Sequence, residues 1–113
     1  MRVGRVFHFD AAHRLPDYRG RCESLHGHTY RLEVVVEGDV KGDGMVLDFK
    51  RLGEVVSAEV LDKLDHQDLN SIIKNPTTEN IVEWIHERLK GRLPLHSVRL
   101  WEGEGKWAEK TAD

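Results

Sequence analysis

Apolar and polar positions along the chain follow two different periods, and the change between them marks out the elements. In residues 28–38, Tyr30, Leu32, Val34 and Val36 alternate with Arg31, Glu33 and Glu37, the two-residue period of a half-buried strand. Val35 interrupts the polar side, so both sheet faces are expected to be partly covered. Residues 3–14, rich in Val, Phe and Ala, predict an earlier strand. Between them, residues 15–27 carry Pro16, Gly20, Gly27 and several charges, and predict a long loop of the kind that more often serves function. Gly38-Asp39 and Gly42-Asp43-Gly44 mark turns, and Met45-Val46-Leu47 predicts a short strand. The period then becomes helical. Asp48 is placed to cap a helix running to about Leu64, with Leu52, Val55, Val56, Val60 and Leu64 on one face. Pro76-Thr77-Thr78 opens a second helix through about Leu89, with Ile81, Val82, Ile85 and Leu89 inward, and Gly91 and Pro94 stop it. Residues 96–102 predict another strand and 106–110 a short final one. Two strands, two helices and two strands make an α+β fold, with both helices on one face of an antiparallel sheet.

Length and charge narrow the classes. The 113 residues are expected to form a single domain, 39% hydrophobic and 33% charged, with a core modest enough that oligomerisation would add useful burial. A net charge of -3, with no basic stripe or interleaved aromatics, argues against a nucleic-acid partner. No apolar run approaches the roughly 20 residues of a membrane span. Met1-Arg2-Val3-Gly4-Arg5 leads directly into a strand pattern rather than a secretory segment. A single cysteine forms no internal disulfide, so a cytoplasmic location is expected.

The chemistry concentrates in Cys22-Glu23-Ser24-Leu25-His26-Gly27-His28. His26 and His28 are two apart, so extended chain points both to one side, and pairing of the first two strands brings His13 toward them. Three imidazoles without a second thiol suit a zinc ion that keeps a fourth position open. His8, His86 and His96 lack that context and read as structural or solvent-exposed. Cys22 lies in a polar loop near Arg19 and Arg21, where positive charge favours the thiolate. Two roles stay open for it: a fourth ligand closing a structural site, or a free acid–base group beside the metal. Asp65-His66 after the first helix reads either as a helix end or as a proton relay. Thr77-Thr78-Glu79 has the composition of a helix cap. Glu102, ending an apolar strand, is either a solvated carboxylate or an acceptor for paired N–H donors of an aminopyrimidinone ring.

Five segments in order resemble the 6-pyruvoyl-tetrahydropterin synthase/6-carboxy-tetrahydropterin synthase family. They are Phe9-Asp10-Ala11-Ala12-His13; Cys22 to His28 with Tyr30; Leu64-Asp65-His66 with Leu69-Asn70; Pro76-Thr77-Thr78-Glu79-Asn80; and Trp101-Glu102. The resemblance implies a tunnelling fold: a four-stranded antiparallel sheet with two helices on one face. Three subunits would form a barrel, stacked as a homohexamer, with active sites between subunits. It implies zinc on His13, His26 and His28, proton transfer by Cys22, Asp65 and His66, and a pterin held by Glu102 with Thr77, Thr78 and Glu79. The substrate implied is 7,8-dihydroneopterin triphosphate. The spacing Cys-x-x-x-His-Gly-His favours the branch that releases acetaldehyde and triphosphate to give 6-carboxy-tetrahydropterin for deazaguanine nucleosides of tRNA. Elimination without carbon–carbon cleavage would give the pyruvoyl product instead. Glu23 also completes Glu-x-x-His-Gly-His, which resembles a branch forming 6-hydroxymethyl-dihydropterin for folate-type cofactors, and makes Glu23 an alternative catalytic group. Arg14, Arg19 and Arg21 are candidates for the phosphates. Beside these readings stand a non-catalytic zinc or pterin-binding module and an oligomeric scaffold.

Overall fold

The computed structural model describes residues 1–16 and 24–112. Apart from the short strand expected at Met45-Val46-Leu47, the predicted strands and helices are present, with ends moved by one or two residues. β1 (Arg2–His13) and β2 (His26–Glu37) form a long antiparallel pair, followed by α1 (Phe49–Val56). A π-turn, Ser57–Leu61, carries α1 into the single turn α2 (Asp62–Leu64). A 3-10 turn, Leu69–Ser71, precedes α3 (Thr78–Leu89), and β3 (Leu95–Glu102) and β4 (Trp107–Thr111) complete the sheet. The strand order is β1-β2-β3-β4, antiparallel throughout.

The two-residue period decides which side of the sheet is dry. Phe7, Phe9 and Ala11 of β1, Tyr30, Leu32, Val34 and Val36 of β2, and Val98 and Leu100 of β3 are buried. They share one core with Leu52, Val55, Val56, Val60 and Leu64 of the first helical rod and Ile81, Val82, Ile85 and Leu89 of α3. Burying one such side chain contributes about 1.5–3 kcal/mol, so this shared core is what fastens the helices to the sheet. Val35 on the opposite side is half-buried, paired with Gly4 and Ser97 where the β2–β3 register shifts between Val35 and Val36. Gly4 is required by close approach, since a Cβ there would meet the Val34 carbonyl oxygen at 2.9 Å. Asp48 caps α1 through the Lys50 amide, and Thr77 caps α3 through the Asn80 amide, as their sequence positions predict.

The strand expected at Met45-Val46-Leu47 does not form. Its carbonyls are spent locally: Met45 accepts from the Lys41 amide, and Val46 from the Lys41 ammonium at 2.6 Å. Val46 packs into the core and Leu47 against it, while Met45 stays exposed, so two apolar contacts without ladder hydrogen bonds produced the strand-like signal. The loop expected at 15–27 is shorter at its far end, because β2 begins at His26. No helix among the described residues is long and apolar enough to cross a membrane.

Candidate active site

Strand register builds the site. His13 pairs with His26 across β1 and β2, and His28 pairs with Ala11. His26, His28 and Tyr30 therefore project to the same side as His13, at the open end of the helix-covered face. The three imidazoles make a nearly equilateral group, with ring centroids 4.8, 4.9 and 4.8 Å apart and planes close to perpendicular. One ligand nitrogen from each lies within 4.8 Å of the others.

The backbone orients these rings. His13 Nδ1 lies 2.8 Å from the Pro76 carbonyl oxygen, and His26 Nδ1 lies 2.9 Å from that of Ser24. A carbonyl accepts, so each Nδ1 carries the proton and each Nε2 keeps its lone pair, the tautomer a metal needs. His28 Nε2 is buried without an aligned hydrogen-bond partner among the described residues, although a Glu102 oxygen stands 3.0 Å away. Burial holds the His28 imidazole below its ordinary pKa, outweighing the opposing pull of Glu102, and His13 and His26 push the same way as burial. An imidazole kept neutral, with an orphaned nitrogen facing two others, fits a metal cation.

Glu102 adjoins this group because β3 ends opposite Tyr30. Its Oε2 accepts from the Thr78 hydroxyl at 2.6 Å, and its Oε1 lies 4.0 Å from His13 Nε2. Burial pushes the Glu102 carboxyl up, but the Thr78 hydroxyl, then His28 and His13, more than offset it and leave it below the usual range. Glu102 is thus an ionised carboxylate in a half-buried pocket. Burial, and then Glu102, raise the pKa of the Tyr30 phenol, whose oxygen lies 3.5 Å from His13 Nδ1.

Asp65 and His66 occupy a second group, against the outer edge of β1. Asp65 Oδ1 lies 3.0 Å from His66 Nδ1, so these neighbours do touch, which the positive φ of His66 (60°) permits. The Asp10 amide donates to Asp65 Oδ1 at 3.0 Å, and this bond is the main reason the carboxyl is held below its ordinary pKa. An open recess of about 560 Å³ is lined by His28 of the first group and by Asp10 and His66 of the second, with Thr29 and Asp68 beside them.

The remaining predicted residues divide. Thr78 joins the site through Glu102, whereas Thr77 acts as the cap of α3 and Glu79 is exposed in its first turn. The Arg14 peptide is clamped at both ends by the Asn70 amide, at 2.8 and 2.9 Å. Cys22, Glu23, Arg19 and Arg21 lie outside the described residues. His8 is exposed and His96 half-buried, as expected, and His86 is buried between α3 and the sheet. The supporting contacts of Pro76, Ser24 and Asp10 escaped the sequence reading because they are made by backbone atoms, which leave no side-chain pattern.

Three imidazoles around one point, beside a carboxylate held ionised by a hydroxyl, form a site suited to a metal cation and a polar ligand. The chain belongs to the 6-pyruvoyl tetrahydropterin synthase family, whose model matches residues 2–113. The dihydroneopterin monophosphate aldolase of Pyrococcus furiosus is 52% identical over 99 residues, covering 84% of this chain and 83% of that protein. The 6-carboxy-5,6,7,8-tetrahydropterin synthase of Haemophilus influenzae is 35% identical and covers 96% of each. The 6-pyruvoyl tetrahydropterin synthase structure from Caenorhabditis elegans superposes with a TM-score of 0.86 at 27% identity, covering 100% of this chain and 96% of that one. The protein is a pterin-processing lyase of this family, and its histidine cluster is consistent with the family's metal site.

Proposed function

We propose that this enzyme cleaves the side chain of a 7,8-dihydroneopterin phosphate between its first and second carbons by a zinc-assisted retro-aldol reaction, with the monophosphate as substrate. The observation that carries this choice is the 52% identity to the dihydroneopterin monophosphate aldolase. The motif alone favoured the 6-carboxy product, and this relative moves the reading to the 6-hydroxymethyl branch that Glu23 suggested.

His13, His26 and His28 would hold the zinc ion through their Nε2 atoms. The chemistry the ion supplies when bound is Lewis acidity toward the substrate's side-chain oxygens. Glu102, held by Thr78, accepts paired N–H donors of the pterin ring and fixes the side chain relative to the triad. A base removes the proton of the second-carbon hydroxyl, and its electrons form the aldehyde as the carbon–carbon bond breaks. The released pair enters the C6=N5 imine of the dihydropterin, and a proton returned to the first carbon completes 6-hydroxymethyl-7,8-dihydropterin. The other product is glycolaldehyde phosphate, so no oxidant is required. Glu23 and Cys22, beside the ligand motif, and His66, oriented by Asp65, are the proton carriers in this reading. Thr77 and Glu79 support the anchor by shaping the start of α3. The chain acts as a single domain in a homohexamer of the family type, in the cytoplasm.

A second reading, 6-carboxy-tetrahydropterin formation from the triphosphate, is favoured by Cys22 in Cys-x-x-x-His-Gly-His and by the Haemophilus influenzae relative. Mass-spectrometric product identification on zinc-loaded protein separates the two. We expect the monophosphate to give 6-hydroxymethyl-7,8-dihydropterin and glycolaldehyde phosphate. A 6-carboxy product and acetaldehyde from the triphosphate alone would establish the second reading, and no turnover of either would refute both. Glu23→Gln is expected to abolish retro-aldol turnover with zinc retained; Cys22→Ala doing so while Glu23→Gln stays active would reassign the base.

A further inference from the structure

Asp10 stands in the Phe9-Asp10-Ala11-Ala12-His13 segment, yet it projects away from the triad, because alternate residues of β1 face opposite sides. On that other side its backbone makes two hydrogen bonds to Asp65-His66, and its carboxylate stands near them. Its amide donates to Asp65 Oδ1 at 3.0 Å, its carbonyl accepts from the His66 amide at 2.6 Å, and its carboxylate lies within 4.8 Å of the Asp65 carboxylate and His66 ring nitrogen. The Asp10 carboxylate is tethered in turn, since Oδ1 accepts from the Thr29 hydroxyl at 2.5 Å across β1 and β2. Thr29 follows His28, so this tether begins one residue from the triad and ends at the proton-transfer pair.

The turn itself is held by the Asp65 amide on the Leu61 carbonyl and the Gln67 amide on the Leu64 carbonyl, so the Asp10 contacts add the link to β1. His66 is 77% exposed in its side chain, holds a left-handed backbone conformation and lies in a turn rather than in a regular element. Its position rests on the edge of β1, through the Asp10 contacts and the Ala12 amide, which donates to the Gln67 carbonyl at 3.0 Å. An exposed side chain on a turn loses rotational freedom only where such contacts fix it, and acid–base transfer requires hydrogen-bond reach.

We propose that Asp10, locked by the Thr29 hydroxyl, is a positioning residue that fixes the Asp65–His66 pair for proton transfer. This rests on the reading of His66 as a proton carrier. The tether acts after the substrate is seated: it contacts neither Glu102 nor the triad nitrogens, so its loss lowers kcat and leaves KM and zinc content in place. A displacement of about 1 Å at a transfer group can cost as much as a hundredfold; a loosened tether on a still-present residue is expected to cost about tenfold.

The test compares Thr29→Val, Thr29→Ser, Asp10→Ala and Asp10→Asn on zinc-loaded protein with 7,8-dihydroneopterin monophosphate, reading kcat, KM, zinc content and melting temperature. Thr29→Val and Asp10→Ala should lower kcat about tenfold at unchanged KM and zinc content. Thr29→Ser should restore the rate, and Asp10→Asn should retain most of it, because an amide oxygen still accepts from Thr29. Full activity of Thr29→Val, or a loss that follows zinc content or melting temperature, overturns the proposal. So does Asp10→Asn failing as badly as Asp10→Ala, which would assign the effect to charge. His66→Ala is the control: full activity there removes the proton-carrier reading itself, whereas inactivity with an unaffected Thr29→Val removes only the tether.

Discussion

Replacing Glu102 by glutamine removes one charge and almost no volume from the proposed pterin anchor, and the structure determines how the new side chain must sit. Only an oxygen can accept from the Thr78 hydroxyl, which lies 2.6 Å from Oε2, so the glutamine carbonyl takes that place. The amide nitrogen is then turned to the side that Oε1 occupied, 3.0 Å from His28 Nε2 and open to the ring. One acceptor for the pterin becomes a donor facing a donor. The remaining bond falls from charge-assisted to neutral, which roughly halves its strength. A hydrogen bond to a charged group is worth about 1.5–3 kcal/mol, so a net loss of about 2 kcal/mol is expected, or about 30-fold in Kd. Fluorescence titration of the zinc-loaded protein with neopterin measures this directly, and metal analysis of the same samples checks that zinc is retained. An unchanged Kd would refute Glu102 as the anchor; a weakened Kd accompanied by zinc loss would assign its effect to His28 instead. Thr78→Val, which leaves the carboxylate but removes its holder, should weaken binding less, by about tenfold.

Two further perturbations follow from the same geometry. His13→Ala removes the ring that is anchored by Pro76 and meets both other imidazoles, so zinc retained after dialysis should fall from one ion per chain to none; full retention, read by atomic emission, would contradict the three-histidine site. His86 bears on stability instead. Burial, with Lys110 acting the same way and Glu83 and Glu87 opposing, holds its imidazole below the ordinary 6.5, and its Nε2 has no hydrogen-bond partner among the described residues. As pH falls through 6.5 the unfolded chain takes up this proton before the folded one, so stability declines on the acid side and is complete above that value. Urea midpoints for the wild type should therefore drop between pH 7.5 and 5.5 more than those for His86→Phe, and parallel declines would exclude His86 as the cause.

The sequence by itself determined most of the elements and singled out the three histidines that cluster at the site. A two-residue period in residues 28–38 and helical spacing from Leu52 to Leu64 are local properties, since each buried position must recur on the side facing the core. His26 and His28 are likewise bound to one face by alternation alone, and Asp48 and Thr77 mark helix starts by their own side chains. Met45-Val46-Leu47 misled because a loop run that sends Val46 and Leu47 to the core carries the same apolar signature as a strand, and only the hydrogen bonds distinguish them. The tertiary structure alone decided the rest. It set the register that joins His13 to His26, the carbonyls of Pro76 and Ser24 that assign each ring its tautomer, and the reach of Thr78 to Glu102 across 24 residues. It also placed Asp65-His66 against the edge of β1, held by the main chain of Asp10. These are contacts between distant segments, many through backbone atoms that every residue shares, so no pattern of side chains along the chain encodes them.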